Sequence, residues 1–200
     1  MCGIVGIIGL KTLNSDVLNN IREATETQTH RGPDSNGTYI GDNFAYGHSR
    51  LSILDLSENG SQPMWSKSGN TLITFNGEIY NHLELRAELE SAGAVFKGTS
   101  DTETIVEGFE KYGIEFLQKL NGFFAIGLFS KSNNTHYIIR DRFGIKPLVY
   151  SKQGDQIVFG SEIKSIKKLG INTNISKEAI STYLQYSYIP APHTIYREVQ

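Results

Sequence analysis

Apolar runs separated by polar turns divide the first part of the chain into short strands and a helix. Cys2–Ile8 is apolar with interspersed glycines, which predicts a buried first strand. Apolar residues at helical spacing then predict a helix over Ser15–Gln28. Thr38–Ile40 and Phe44–His48 flank the polar triplet Gly41-Asp42-Asn43, which predicts a hairpin.

The remaining predicted strands are grouped between helices. Thr71–Phe75 is a strand, and Asn81–Ala92 is a helix in which Asn81 and Glu84 have capping-box spacing. Thr102–Tyr112 is a third helix, with Ser100 or Asp101 as its cap. The further predicted strands are Phe123–Phe129, Tyr137–Arg140, Leu148–Tyr150 and Ile157–Phe159, and the further helices are Glu162–Leu169 and Lys177–Tyr186.

This order of elements predicts an α+β fold. The strands show little alternation of apolar and polar residues, which is typical of sheets covered on both faces. They do not alternate strictly with helices, so a parallel βαβ arrangement is disfavoured. We therefore expect two sheets sandwiched between layers of helices.

Composition narrows the classes of function. A chain of 200 residues forms one large domain, or one domain plus a fragment of another. The net charge of −2 gives no pull toward nucleic acid or an acidic membrane. A single cysteine excludes an internal disulfide framework and an all-cysteine metal site, and we expect no metal. The apolar stretch Cys2–Leu10 has about half the length that a membrane span needs, so a cytoplasmic protein without a membrane partner is expected.

The one cysteine, Cys2, directly follows the initiator methionine. If an aminopeptidase removes Met1, Cys2 carries both a thiol and a free α-amine. Their ordinary pKa values are roughly 8.5 and 7.7–8.0, so the amine can accept the thiol proton near neutral pH. Position alone also allows a small buried side chain without a chemical role.

Four other polar clusters stand out, and three of them have both a structural and a chemical interpretation. His30–Asp34 forms a charged turn after a helix. Arg50 ends a predicted strand, where its guanidinium is either solvated or binds a carboxylate through two hydrogen bonds. Asn76-Gly77 is either a turn or a pair of donors for an oxyanion. Asp101 is either a helix cap or a side chain that binds a ligand, and the two roles do not exclude each other.

In combination and order, these clusters resemble a known family, the class II, N-terminal nucleophile glutamine amidotransferases. Within it they most resemble the glutaminase domain of glutamine-hydrolysing asparagine synthetases, and the likeness runs from residue 1 to about 165. The matching stretches are Met1–Ile4, His30–Asp34, Arg50–Leu56, Gln62–Met64, Phe75–Asn81, Ser100–Glu103, Asn121–Ala125 and Arg140–Leu148. The resemblance implies a four-layer αββα sandwich, the N-terminal nucleophile hydrolase fold.

The resemblance also implies a reaction, the hydrolysis of glutamine to glutamate and ammonia through a thioester. Cys2 would be the nucleophile, with its α-amine as the base. Asn76 and Gly77 would hold the oxyanion, and Arg50 would bind the substrate carboxylate. The glutamine pocket would further include Leu51, Ser52, Ile53, Leu54, Glu78 and Asp101, the last two near the substrate ammonium.

The family continues into an ATP-dependent synthetase domain, whose pyrophosphate-loop motif does not occur in this sequence. We expect residues 2–175 to form the glutaminase domain and residues 176–200 to be a connection to, or the start of, the synthetase domain. ATP and Mg²⁺ are expected only there, and glutamine and that domain are the expected partners. Aspartate is the acceptor implied by resemblance; other carboxylates and a homodimer remain open.

Two other functions are compatible with the same fold. One is a catalytically silent regulatory or binding domain, although such a domain would more often have lost its nucleophile. The other is an N-terminal nucleophile amidohydrolase of different specificity, against which the stretches Arg50–Ile53 and Asn76–Asn81 argue.

Overall fold

Two antiparallel sheets form the centre of the computed structural model, which describes residues 1–10 and 15–200. The strands of the first sheet are β1 (Gly3–Ile8), β2 (Ser35–Ile40), β3 (Phe44–Arg50), β8 (Val149–Gln153) and β9 (Gln156–Gly160). Those of the second are β4 (Met64–Trp65), β5 (Thr71–Ile79), β6 (Gly122–Ser130) and β7 (Thr135–Arg140). The spatial orders are β2-β3-β1-β9-β8 and β4-β5-β6-β7, so β1 lies at the centre of its sheet.

Helices cover the outer faces of both sheets. The helices are α1 (Ser15–Glu26), α2 (His82–Ser91), α3 (Asp101–Tyr112), α4 (Ile163–Lys167) and α5 (Lys177–Tyr186), with short 3-10 helices at Glu58–Gly60 and Gly113–Lys119. Helices α1 and α4 pack on the first sheet, and α2 and α3 pack on the second. In the described part of the chain, no helix is both long enough and apolar enough to span a membrane.

Three hydrophobic clusters separate the four layers. Between the two sheets, Ile4 and Phe159 of the first pack against Leu72 and residues of β6 from the second. Val5 and Ile7 of β1 face the other way and pack against α1 and α4. A third cluster lies between the second sheet and helices α2 and α3. This is the four-layer αββα sandwich expected from the sequence, because the two sheets pack against each other and each packs its outer face against helices.

Two local predictions differ from the structure. Asn76-Gly77 is not a turn, because β5 continues to Ile79 and pairs with β6 in the register Asn76↔Ala125 and Gly77↔Phe124. Asn81 does not cap α2 with its side chain. Its amide instead joins the segment before β6, donating to the Lys119 carbonyl at 3.0 Å and accepting from the Asn121 N–H at 3.0 Å.

The segment after α4 returns to the first sheet. Gln200 exchanges two backbone hydrogen bonds with Tyr150 of β8, at 2.8 and 2.9 Å. Val199 is 1% exposed and belongs to the cluster beneath α1 and α4. The end of the segment 176–200 therefore packs against the sandwich, while the domain boundary at residue 175 stays a prediction.

Candidate active site

Strand pairing places Cys2 at one end of the central strand. Gly3 of β1 pairs with Ser49 of β3, so Cys2 lies beside the residues that follow β3. The Leu51 N–H donates to Cys2 Sγ at 3.4 Å, and the thiol donates to the Leu51 carbonyl at 3.6 Å. A cavity of about 370 Å³ opens at this point, a size suited to a small ligand.

All the residues predicted for the site line this one cavity, although they are far apart in sequence. Their convergence follows from topology, since β1 and β3 belong to one sheet, β5 belongs to the facing sheet, and α3 begins next to the end of β5. The predicted residues lining the cavity are Cys2, Arg50, Leu51, Ser52, Ile53, Leu54, Asn76, Gly77, Glu78 and Asp101.

The environment of the Cys2 thiol favours its neutral form. Burial raises the thiol pKa, and the nearby Asp101 charge raises it further. The Leu51 N–H, the N-terminal charge and Lys146 act in the opposite direction but do not cancel the effect of burial. A neutral thiol is a weak nucleophile, so this site requires a base close to Sγ.

Asn76 brings an unused donor into the cavity. The residue is 1% exposed on β5, and its Nδ2 has no hydrogen-bond partner among the residues that the structure describes. A buried amide without a partner is costly, so such a group in a native fold needs a ligand or a functional reason. Next to it, a Cβ on Gly77 would lie 2.3 Å from the Phe123 carbonyl oxygen, so only glycine allows β6 to approach this closely.

Arg50 is held by the loop that follows it. Its Nη2 donates to the carbonyl oxygens of Asp55 and Ser57 at 2.5 and 2.8 Å, and its Nη1 lies 3.3 Å from Ser61 Oγ. These three bonds use three of the five N–H groups of a guanidinium. The remaining two N–H groups have no partner in the described part of the chain, and Arg50 lines the cavity. It can therefore support the loop and bind an anion at the same time.

The loop itself forms one rim of the cavity. Ile53 is 66% exposed and Leu54 is also exposed, while Leu51 and Ser52 are half-buried. The Ser52 N–H donates to Asp34 Oδ2 at 2.7 Å. The charged turn after α1 therefore anchors this loop, a role that the sequence did not suggest.

Asp101 presents a carboxylate that its position in the helix leaves available. Ser100, not Asp101, caps α3, because Ser100 Oγ accepts from the Glu103 N–H at 3.2 Å. Asp101 is 6% exposed and accepts from the Ile79 N–H at 3.1 Å. Burial raises its pKa to about 6, with a further contribution from the half-buried Glu78, against the lowering effect of backbone N–H groups. Two acidic groups thus lie on one side of the cavity.

Two cavity residues with basic side chains, His48 and Lys146, were not predicted as site residues from the sequence. His48 shares a face of β3 with Arg50, so strand alternation was a usable signal for it. Burial lowers its pKa to about 3, and its Nε2 lies 3.1 Å from the Phe75 carbonyl oxygen, so it is a neutral donor. Lys146 lies in a loop for which no periodic pattern exists.

The cavity thus combines a thiol, an unpartnered amide, two cations (Arg50 and Lys146) and two acidic groups (Glu78 and Asp101). Opposite charges within one small cavity suit a zwitterionic ligand. Within residues 1–10 and 15–200, no three His, Cys, Asp or Glu side chains are grouped as metal ligands would be.

Comparison with known proteins agrees with this chemistry. A sequence model of the family described as the glutamine amidotransferase domain matches residues 1–200. The chain is 40% identical over 197 residues to "Asparagine synthetase [glutamine-hydrolyzing] 1" of Bacillus subtilis, covering 98% of this chain and 31% of that protein. It is 35% identical over 219 residues to "Putative asparagine synthetase [glutamine-hydrolyzing] 2" of Methanocaldococcus jannaschii, with coverages of 98% and 41%. The chain thus spans less than half the length of these relatives.

Solved structures support the fold. A glutamine phosphoribosylpyrophosphate amidotransferase from B. subtilis superimposes with a TM-score of 0.69 at 21% identity, over 84% of this chain and 44% of that one. The structure of an allosteric regulatory enzyme of purine biosynthesis gives a TM-score of 0.68 at 22% identity, with coverages of 84% and 43%. The four-layer fold expected from the sequence is therefore confirmed, and by the family match over its whole length the chain belongs to the glutamine amidotransferase domain family.

Proposed function

We propose that this domain hydrolyses glutamine to glutamate and ammonia, with Cys2 as the nucleophile. The observation that carries the proposal is the cavity in which the Cys2 thiol, the unpartnered Asn76 amide and groups of both charges converge. A thiol alone would suit many reactions. A thiol, an oxyanion donor and two oppositely charged anchors together suit an amide that belongs to an amino acid.

The base in this proposal is the α-amine of Cys2 after removal of Met1. In the structure the Cys2 nitrogen is in a peptide bond with Met1, and Met1 is exposed at the mouth of the cavity, within reach of a processing enzyme. The freed amine takes the thiol proton while Sγ bonds to the side-chain amide carbon of glutamine. The proton then passes to the leaving nitrogen, the C–N bond breaks, and ammonia departs.

The tetrahedral intermediate carries a negative oxygen, for which Asn76 Nδ2 and the Gly77 N–H are the proposed donors. Removal of one such donor typically costs about 2.7–4 kcal/mol of transition-state stabilisation. Water then attacks the thioester carbon, the C–S bond breaks, and glutamate leaves with the thiol restored. No metal is required at any step of this sequence.

Selection of glutamine follows from the charges of the cavity. In this proposal the α-carboxylate binds Arg50, and the α-ammonium binds Asp101 and Glu78, with Leu51, Ser52, Ile53 and Leu54 along the pocket. A charge-assisted hydrogen bond contributes more than a neutral one, so a simple primary amide would bind far more weakly.

For the whole protein we propose an ATP-dependent synthetase of the cytoplasm that uses this ammonia to amidate aspartate. The relatives named as asparagine synthetases support this, because the chain spans only 31% and 41% of the two described above. ATP and Mg²⁺ would act in the additional part of such a protein and not in the cavity described here. The competing proposal, a silent domain of the same fold, is disfavoured by the complete set of cavity groups.

Ammonia and glutamate release from glutamine tests the proposal, with intact mass reporting whether Met1 is present. Cys2→Ala should abolish release while leaving the thermal midpoint within a few degrees of wild type. An N-terminal extension that keeps residues ahead of Cys2 should also abolish release, because the nitrogen stays in a peptide bond. Turnover by Cys2→Ala would overturn the nucleophile, and normal turnover by the extended protein would overturn the base.

A further inference from the structure

A conspicuous polar motif, Arg140–Pro147, begins at the last residue of β7 and continues through the loop before β8. Asp141 organises it from the inside, since its buried carboxylate accepts the Ile145 and Lys146 N–H groups at 2.9 Å each. It also accepts from the Phe124 N–H of β6 at 3.3 Å. Although burial opposes ionisation, these N–H groups hold the Asp141 pKa below its ordinary value. The loop is therefore tied to the second sheet by a charged anchor.

Arg140 holds the same loop from the other side. Its Nε donates to the Lys146 carbonyl at 2.7 Å and its Nη2 to the Gly144 carbonyl at 2.6 Å. Gly144 has φ of 64°, a conformation that favours glycine and that turns the loop back. Both the N–H and the carbonyl of Lys146 are thus bonded by charged side chains, which determines where its side chain begins.

The Lys146 side chain enters the cavity that contains Cys2. The residue is 6% exposed, and its ammonium lies 4.3 Å from the centre of the Phe123 ring. In the described part of the chain, its Nζ has neither a hydrogen bond nor an ion pair within 4.0 Å. A contact with an aromatic face offsets only part of the cost of removing an ammonium from water. Lys146 is therefore a buried cation whose charge is not balanced by an ion pair among the described residues, as expected of a group that binds an anion.

The charged groups around the Lys146 ammonium indicate which anion it stabilises. The groups that interact with it are Arg31, Cys2, Glu78 and Asp141, and those that interact with Cys2 are the N-terminus, Asp101 and Lys146. Asp141 is already saturated by N–H donors. Arg50 is assigned to the substrate carboxylate, and Glu78 and Asp101 to its ammonium. The oxygen of the tetrahedral intermediate is assigned to Asn76 and Gly77. The thiol is therefore the one remaining group that becomes negative during the reaction.

We propose that Lys146 is an electrostatic positioning residue that stabilises the thiolate of Cys2, and that the loop Arg140–Pro147 exists to hold it there. The inference rests on the proposed role of Cys2 as nucleophile. Lys146 forms no bond and transfers no proton: the α-amine accepts the thiol proton, and the fixed ammonium lowers the energy of the sulfur anion that remains. It also counters the Asp101 carboxylate, which acts on the thiol in the opposite sense.

The test is the pH dependence of Cys2 alkylation by iodoacetamide in the absence of glutamine. Only the thiolate reacts, and because Cys2 is the sole cysteine, the mass increase reports this residue alone. The variants are Lys146→Met, which removes the charge at similar length, and Lys146→Arg, which retains it. Lys152→Met removes a charge from an exposed position of β8 and is the matched control.

For Lys146→Met we expect the midpoint of the alkylation profile to rise by about one pH unit, in line with loss of an opposite charge near a titrating group. The rate at pH 7 should fall only about threefold, because a less acidic thiol gives a more nucleophilic thiolate. Lys146→Arg should restore the wild-type midpoint, and Lys152→Met should not move it. An unchanged midpoint in folded Lys146→Met would overturn the proposal.

Folding is checked by the thermal midpoint, and Lys146→Gln provides a second charge-free variant if Lys146→Met does not fold. An unchanged midpoint in folded Lys146→Gln has the same meaning. The two proposals fail separately, because alkylation needs no turnover. An unchanged midpoint together with an inactive Cys2→Ala would remove Lys146 and keep the nucleophile. A shifted midpoint together with an active Cys2→Ala would keep the effect of Lys146 on the thiol and remove Cys2 as the nucleophile.

Discussion

The guanidinium of Arg31 donates from Nε to the main-chain oxygen of Cys2 at 3.0 Å. The same guanidinium donates from Nη1 to Glu162 Oε1 at 3.1 Å. The turn after α1 and the start of α4 thus hold the residue that precedes β1. Glu162 also contacts His30 and Lys164, and although burial opposes it, these partners hold the Glu162 pKa below its ordinary value.

Glu162→Gln should therefore lower kcat for glutamine hydrolysis about tenfold and change KM little. The substitution removes a charge-assisted bond to Arg31, which is worth roughly 1.5 kcal/mol, and loosens the Cys2 main chain without touching the substrate anchors. Steady-state kinetics measure both constants. Glu23→Gln is the control, since it removes an exposed ion pair with Lys168 and should leave both constants within about twofold. A kcat equal to that of the control would exclude the Arg31 contact from catalysis.

Asn76→Ala should separate activity from stability. We expect kcat to fall by about 10²–10³-fold, the typical cost of one oxyanion donor. The thermal midpoint should change little, because Asn76 Nδ2 has no partner in the described residues that could be lost.

Asn81→Ala is the matched control for that experiment and should behave in the opposite way. It removes two hydrogen bonds at 3.0 Å each, so the thermal midpoint should drop while kcat stays near wild type. Thermal denaturation and kinetics on the same preparations give both readouts. A stable Asn76→Ala enzyme of normal kcat would contradict the oxyanion role.

Asp101 should make glutamine binding depend on pH. Its pKa is raised to about 6, so its carboxylate loses charge as the pH falls through that value. We expect KM for glutamine to rise below pH 6, and Asp101→Asn to raise KM about 10- to 100-fold and abolish this dependence. Asp42→Asn, at an exposed position, should retain the wild-type profile. A wild-type KM that is flat from pH 5 to 8 would argue against Asp101 as the ammonium ligand.

The same group should affect stability with a defined sign. Its folded-state pKa of about 6 exceeds its ordinary value of 3.8, so between these values the folded state binds more protons than the unfolded state. The contribution of Asp101 to the free energy of unfolding therefore decreases as the pH rises across this window. Asp101→Asn should reduce this loss, measured as the difference in the free energy of unfolding between pH 4 and pH 7.

Arg50→Ala should raise KM for glutamine about 10- to 100-fold, since a charged partner of the carboxylate is lost. Because Arg50 also bonds the loop at Asp55 and Ser57, a smaller fall in stability should accompany the change. Ser61→Ala removes one long bond, at 3.3 Å, from the same guanidinium to a hydroxyl and should change KM less than about threefold. Equal KM values for the two variants would restrict Arg50 to support of the loop.

The sequence predicted most elements because their apolar patterns reflect local packing. The hairpin before Arg50 and the helix beginning near Asp101 are local structures, and both are confirmed. Asn76-Gly77 was ambiguous because its dipeptide favours a turn, whereas pairing with Phe124 and Ala125 extends the strand. Asn81 had capping-box spacing, yet its side chain forms hydrogen bonds with partners about 40 residues away instead of capping the helix. Long-range pairing outweighed local preference at both positions.

The sequence by itself determined the fold class, the position of the one thiol and the motifs that carry the family resemblance. These depend on residue identity and on periodicity, which a linear chain displays directly. Only the tertiary structure decided that the Asn76 amide nitrogen has no partner among residues 1–10 and 15–200, that Ser100 and not Asp101 caps α3, and that Lys146 lies in the cavity with Cys2. Those facts depend on burial and on contacts between distant residues, which exist only when the two sheets and their helices pack together.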